Sequence, residues 1–270
     1  MKLTVNKEEV FASTGGRTFD KKKPLIIFLH GSGFDHTVWM LQTRYFAFHG
    51  YSVLALDLPG HGLSKGESLT SIENMAEWVI GVIEVLGCDK VSLVGHSQGC
   101  LIGLECAARY PKIIKSLSLM GGSGNMAVNP ILLSLAKKND NKVVTLMMDW
   151  CHGPAGHFGT HSIPGMSHMN IGSALMTKKS LKHTLGVDLS ACNNYTNGFE
   201  AAEKILLPVL IVLGDQDKMC PLKAGKKLTS IIKNSEMHII KNCGHMMHLE
   251  EASKTLVILK KFIKLNYSTS

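Results

Sequence analysis

Short apolar runs alternate with helix-length amphipathic stretches through residues 1–124 of the chain. Residues 25–29, 52–56, 91–94 and 114–120 are runs of strand length, each ending at a glycine- or proline-marked loop. Between them, apolar residues at 72, 75, 76, 79, 80, 83 and 86 recur at helical spacing, predicting a helix over 72–86. Residues 38–48 have helical length, and 100–109 form a helix stopped by Pro111. The rhythm returns late, with strands at 209–213 and 237–240 and helices at 222–232 and 250–263. Strands alternating with helices require crossovers, so the expected class is α/β, a mostly parallel sheet flanked by helices with right-handed connections.

Between about 125 and 204 the rhythm breaks. This stretch reads as an insertion, helical at 130–150 and 174–185, with a Gly/His/Pro-rich loop over 151–168. The expected organisation is therefore a core formed by 1–124 and 205–270, with 125–204 as a lid above the strand ends.

Composition narrows the class further. A chain of 270 residues, 45% hydrophobic and 19% charged, suits one α/β domain with an insertion. Its longest apolar runs fall far short of the ~20 residues that span a bilayer, and residues 1–9 lack an apolar export segment. Seven cysteines without a paired motif fit reduced thiols and a cytoplasmic setting. The net charge of +8 comes from dispersed lysine doublets and one triplet with no interleaved aromatics, so neither nucleic acid nor membrane is an expected partner. His152, His157, His161 and His168 cluster in the insertion, but without H-E-x-x-H or a cysteine pair, and among helix-breaking Gly and Pro. They read as polar loop or pocket contacts, and no metal or cofactor is expected.

Chemistry concentrates at the ends of the strands. Gly95-His96-Ser97-Gln98-Gly99 lies directly between a strand and a helix, the context that turns a short G-x-S-x-G pattern into a nucleophile elbow at Ser97. A serine needs a base, and His245 follows the 237–240 strand in a Cys-Gly-His loop at the same sheet edge. His248 is expected to point elsewhere, and His96 to face away from the direction of attack. Gly214-Asp215-Gln216-Asp217 follows another strand and offers Asp217 or Asp215 as the orienting acid. The Gln98 N–H and one from the His30-Gly31-Ser32-Gly33 loop, Ser32 first and Gly33 close behind, are the expected oxyanion donors. Phe34, Met147, Trp150 and Met246 are expected to wall a substrate pocket. Met148, Met166, Met169, Met176 and Met247 either join that wall or fill the core.

Four motifs taken together resemble the α/β-hydrolase superfamily across nearly the whole chain. They are His30-Gly31-Ser32-Gly33, the loop from Asp57 to Ser64, Gly95-His96-Ser97-Gln98-Gly99, and Gly214-Asp215-Gln216-Asp217 with Gly244-His245. The resemblance selects Asp217 over Asp215, implies a cap after the sixth strand of the fold, and makes the Asp57 loop structural. A serine at position 97 is unlike the dehalogenase and epoxide-hydrolase branches, which use a carboxylate nucleophile. What it implies is a serine esterase that acts on a small-molecule ester with a small or medium acyl chain. Thioester or carbon–carbon cleavage on the same triad, or a ligand-binding receptor of the same fold with little turnover, are the alternatives.

Overall fold

The computed structural model describes residues 1–154, 169–180, 182 and 184–268. Eight strands form one sheet in the order β1-β2-β4-β3-β5-β6-β7-β8: β1 (Lys2–Val5), β2 (Glu8–Ser13), β3 (Leu25–Leu29), β4 (Ser52–Leu56), β5 (Val91–His96), β6 (Ile114–Met120), β7 (Val209–Gly214) and β8 (Ser235–Ile240). From β4 to β8 every pairing is parallel, and β1 and β2 join at one edge in antiparallel fashion.

Because both faces of a parallel sheet are covered, the strands β3 to β7 are buried almost throughout and mainly apolar. In β3 the alternation sends Leu25, Ile27 and Leu29 into one core and Ile26 and Phe28 into the other. The first core packs under α2 (Ile72–Leu86), α3 (Gln98–Arg109), α8 (Gly198–Glu203) and α9 (Leu222–Ile231). The second packs under α1 (Met40–Ala47) and α11 (Ala252–Ser268). Ser71 caps α2 by accepting from the Asn74 N–H at 3.2 Å, and Gly87 closes the helix in the left-handed region.

The sequence gives no warning of β1 and β2. They are short strands at one side of the sheet, with β1 the edge, and the two residues between them, Asn6 and Lys7, both take positive φ (51° and 69°) without a glycine to mark the turn. The helix expected over 38–48 starts instead as a 3₁₀ turn at His36–Trp39, where the Asp35 side chain accepts from the Thr37 N–H.

Between β6 and β7 lie α4 (Pro130–Lys137), α5 (Lys142–Cys151), α6 (Met169–Ser180), α7 (Leu185–Asn194) and α8. The single helix expected over 130–150 is two, separated where Asn139 turns to φ 56°. That expected over 174–185 is resolved into the end of α6 and the start of α7. Helix α8 packs on α3 and α9, so this part of the connection belongs to the layer against the sheet. His157, His161, His168 and Met166 lie outside the described residues, as does the side chain of Met169. A short α10 (Met247–Glu250) precedes α11.

Candidate active site

Loops following β3, β5, β6, β7 and β8 meet at the carboxyl ends of the strands, where the chain changes direction on either side of β3. Ser97 sits at the tip of the β5–α3 turn with φ 53° and ψ −117°, a region that costs a non-glycine residue about 1–3 kcal/mol. The turn is fixed by the Ser97 N–H, which donates to the Met120 carbonyl at 3.0 Å, and by the Cys100 N–H, which donates to the Ser97 carbonyl at 2.8 Å. A side chain at Gly95 would collide with the Gly99 carbonyl, and one at Gly99 with the Leu29 carbonyl, so the turn needs both glycines.

His245 Nδ1 donates to Asp217 Oδ2 at 2.8 Å. The other carboxylate oxygen accepts from the N–H groups of Met219 (2.8 Å) and Cys220 (2.7 Å), so Asp217 is held from both sides. Placing the proton on Nδ1 leaves a lone pair on His245 Nε2, which is buried and has no partner among the described residues. Asp215 is turned elsewhere: it accepts weakly from the Cys243 N–H at 3.4 Å. Of the two acids open from the sequence, the geometry brings Asp217 to the imidazole.

Ser32, Ser97 and His245 line one cavity of about 470 Å³. Its remaining wall is mostly apolar, including Met126, Val128, Leu132, Trp150 and Leu189, with Lys218 at its edge. Of the four residues expected in that wall, Trp150 lines it. Phe34 instead faces a separate cavity of about 330 Å³ beside Gly60 and His61, and Met147 and Met246 are buried in the second core. Their positions follow from helix and loop phase: α5 turns Met147 inward while Trp150, three residues on, reaches the cavity. The Ser32 and Gln98 N–H groups have no acceptor among the described residues, whereas the Gly33 N–H donates to Asp188 Oδ2 at 2.8 Å.

His96 is buried behind the site, and its Nε2 donates to the His245 carbonyl at 3.0 Å. Its ring packs against His245 and His248, and His248 stacks on Trp39 with centroids 4.4 Å apart. Burial, reinforced by neighbouring histidines, holds His96 well below its usual pKa and lowers His248 to about 3, so both are neutral. Asp57 accepts from the backbone of His36 and Leu63 and from His36 Nδ1, a closed arrangement at the base of its loop.

Two buried carboxylates that hold the loops of this site escaped the sequence reading. Glu250 accepts from the N–H groups of Gly153 (2.8 Å), Gly244 (3.1 Å) and Met246 (3.2 Å), and Asp188 holds Gly33. A lone acid within a helix carries no local signal, and Gly153 and Gly33 lie 97 and 155 residues from the acids that hold them.

The sequence model described as the alpha/beta hydrolase family matches residues 26–257. A 2-hydroxy-6-oxononadienedioate/2-hydroxy-6-oxononatrienedioate hydrolase of Klebsiella pneumoniae is 26% identical, with 89% of this chain and 87% of that protein covered. An (E)-2-((N-methylformamido)methylene)succinate hydrolase of Acinetobacter baylyi is 25% identical, over 86% of this chain and 87% of the other. The solved structure of a thermophilic esterase superposes with a TM-score of 0.82 at 26% identity, covering 98% of this chain and 97% of that one.

Proposed function

We propose that this chain, which belongs to the alpha/beta hydrolase family, is a serine hydrolase that cleaves a carboxylic ester of a small or medium acyl substrate. One observation carries the reading. The His245 ring, fixed at Nδ1 by Asp217, keeps a free Nε2 in the same cavity as Ser97, which the strained turn presents. In the proposed route His245 Nε2 takes the proton of Ser97 Oγ as the oxygen attacks the ester carbonyl. The oxyanion is met by the N–H groups of Ser32 and Gln98. The intermediate collapses, His245 protonates the leaving alcohol, and a water activated by the same ring releases the acid from Ser97. Asp217 holds the tautomer and stabilises the imidazolium.

The largely apolar wall of the cavity supports an apolar acyl group. A second reading, carbon–carbon cleavage with the same residues, is favoured by the activity named for the Klebsiella relative. Seven cysteines, all free, support a reducing compartment and hence the cytoplasm. No helix among the described residues is long and apolar enough to cross a membrane.

The test is hydrolysis of p-nitrophenyl acetate, butyrate and octanoate by the wild type and Ser97→Ala. Turnover that falls at least about 10³-fold in the variant is expected. An inactive wild type sinks the ester reading and favours carbon–carbon cleavage, tested on vinylogous diketones, and an equally active variant sinks Ser97 as the nucleophile.

A further inference from the structure

Asp188, on α7 in the connection between β6 and β7, is fully buried. Its Oδ2 accepts from the Gly33 N–H and from His61 Nε2, both at 2.8 Å. Its backbone carbonyl lies 3.4 Å from the Gln98 side-chain amide, which donates to it. One residue therefore touches both segments from which the oxyanion N–H groups come: it grips the neighbour of Ser32 with its side chain and Gln98 with its main chain.

The charge on Asp188 is matched locally. His61 Nδ1 faces the Pro59 carbonyl at 3.0 Å while Nε2 faces Asp188, so both ring nitrogens meet acceptors and both carry protons. Burial opposes that charge, but the Asp188 carboxylate and the two hydrogen bonds outweigh it and raise the pKa of His61. Asp188 Oδ1, by contrast, is buried without a partner among the described residues. A carboxylate kept with one bare oxygen costs folding free energy, which argues for a purpose other than stability.

The geometry points to Asp188 as a positioning residue for the oxyanion hole, one that acts through the Gly33 N–H to aim the Ser32 N–H at the cavity and, with His61, ties that loop to the α7 segment. This inference rests on the serine-hydrolase reading, since only a developing oxyanion uses the aim of the Ser32 N–H.

The test compares Asp188→Ala, Asp188→Asn and the wild type on p-nitrophenyl butyrate, alongside inhibition by an alkyl trifluoromethyl ketone. The ketone takes Ser97 Oγ on its carbonyl carbon, passes the serine proton to His245, and leaves an oxyanion in the hole. Loss of Asp188 is expected to lower kcat about 10- to 100-fold with KM within about threefold, as for other groups that orient a reacting one. Ketone affinity should weaken by the same factor while binding of the product butyrate stays constant. Asp188→Asn, whose amide oxygen still accepts from Gly33, should recover most of kcat. If Asp188→Ala does not fold, Asp188→Ser, which stops one bond short of Gly33, takes its place. An unchanged kcat, or a lower kcat with unchanged ketone affinity, overturns the role of Asp188 alone. A wild type without Ser97-dependent turnover overturns the hydrolase reading and this inference with it.

Discussion

Glu250 accepts the Gly153 N–H at 2.8 Å, which joins the segment after α5 to the end of α10 through a single buried carboxylate. The same carboxylate takes the N–H groups of Gly244 and Met246, the residues on either side of His245. The His245 N–H itself donates to the Cys151 carbonyl at 2.8 Å. The loop that presents the imidazole is thus anchored at three consecutive amides.

Glu250→Ala leaves two buried N–H groups, those of Gly153 and Gly244, unpaired, at about 1–3 kcal/mol each before relaxation, while the Met246 N–H keeps the Cys151 carbonyl. A stability loss of about 2 kcal/mol or more is expected, with a melting temperature lower by roughly 4–8 °C. If His245 is the base of an esterase, as proposed, kcat on p-nitrophenyl butyrate should fall more than KM rises, because its backbone is no longer fixed. A variant that melts with the wild type would show that water replaces the carboxylate.

Gly99→Ala tests the elbow without touching a reacting group. The new methyl would meet the Leu29 and Leu29–His30 backbone, which cannot rotate aside as a side chain could. Destabilisation above about 2 kcal/mol is expected in chemical denaturation. A variant of native stability and activity would mean that β3 and α3 are further apart than they stand here.

The His61–Asp188 pair gives stability a definite pH dependence. The pKa of His61 is raised above its usual 6.5: burial works against the charge, and Asp188 more than offsets it. A raised folded pKa means that the contribution is fully present below 6.5 and is lost as pH climbs through the folded value. The melting-temperature gap between wild type and His61→Gln should therefore be widest near about pH 6 and narrow as pH rises. A gap that stays constant through the alkaline range would rule out an ion pair at this position.

All seven thiols are held above their usual pKa, chiefly by burial; Cys192 is pushed up to about 12. Six of the seven are buried, and only Cys88 is partly exposed. Ellman's reagent should titrate at most one thiol in the folded protein and all seven after denaturation. Rapid native labelling of Cys100, just behind Ser97, would mean that the β5–α3 turn opens.

How much of this was legible in the sequence depended on whether the signal was local. The five strands β3 to β7 are buried on both faces and stand out as mainly apolar runs, and Ser97 and His245 are marked by glycines that the backbone requires. Asp217 needed the resemblance, because Asp215 shares its loop and only the direction of the side chain separates them. Strands β1 and β2 were hidden by alternation too brief to register and by a turn built from Asn6 and Lys7. Met147 and Trp150 share a helix, and which of them meets the cavity is a matter of rotation that composition does not encode. Asp188 and Glu250 were invisible because their meaning lies in amides 155 and 97 residues away.

The anchoring of His245 and Met246 to the Cys151 carbonyl has a consequence for engineering. The segment between β6 and β7 is not an accessory that can be trimmed to open the cleft or exchanged wholesale to change what enters it. A chimera that takes this segment from a relative must bring a carbonyl to the place of Cys151, a glycine amide to that of Gly153 and an acid to that of Asp188. Otherwise it inherits a new vestibule together with a slack imidazole and a wandering oxyanion loop.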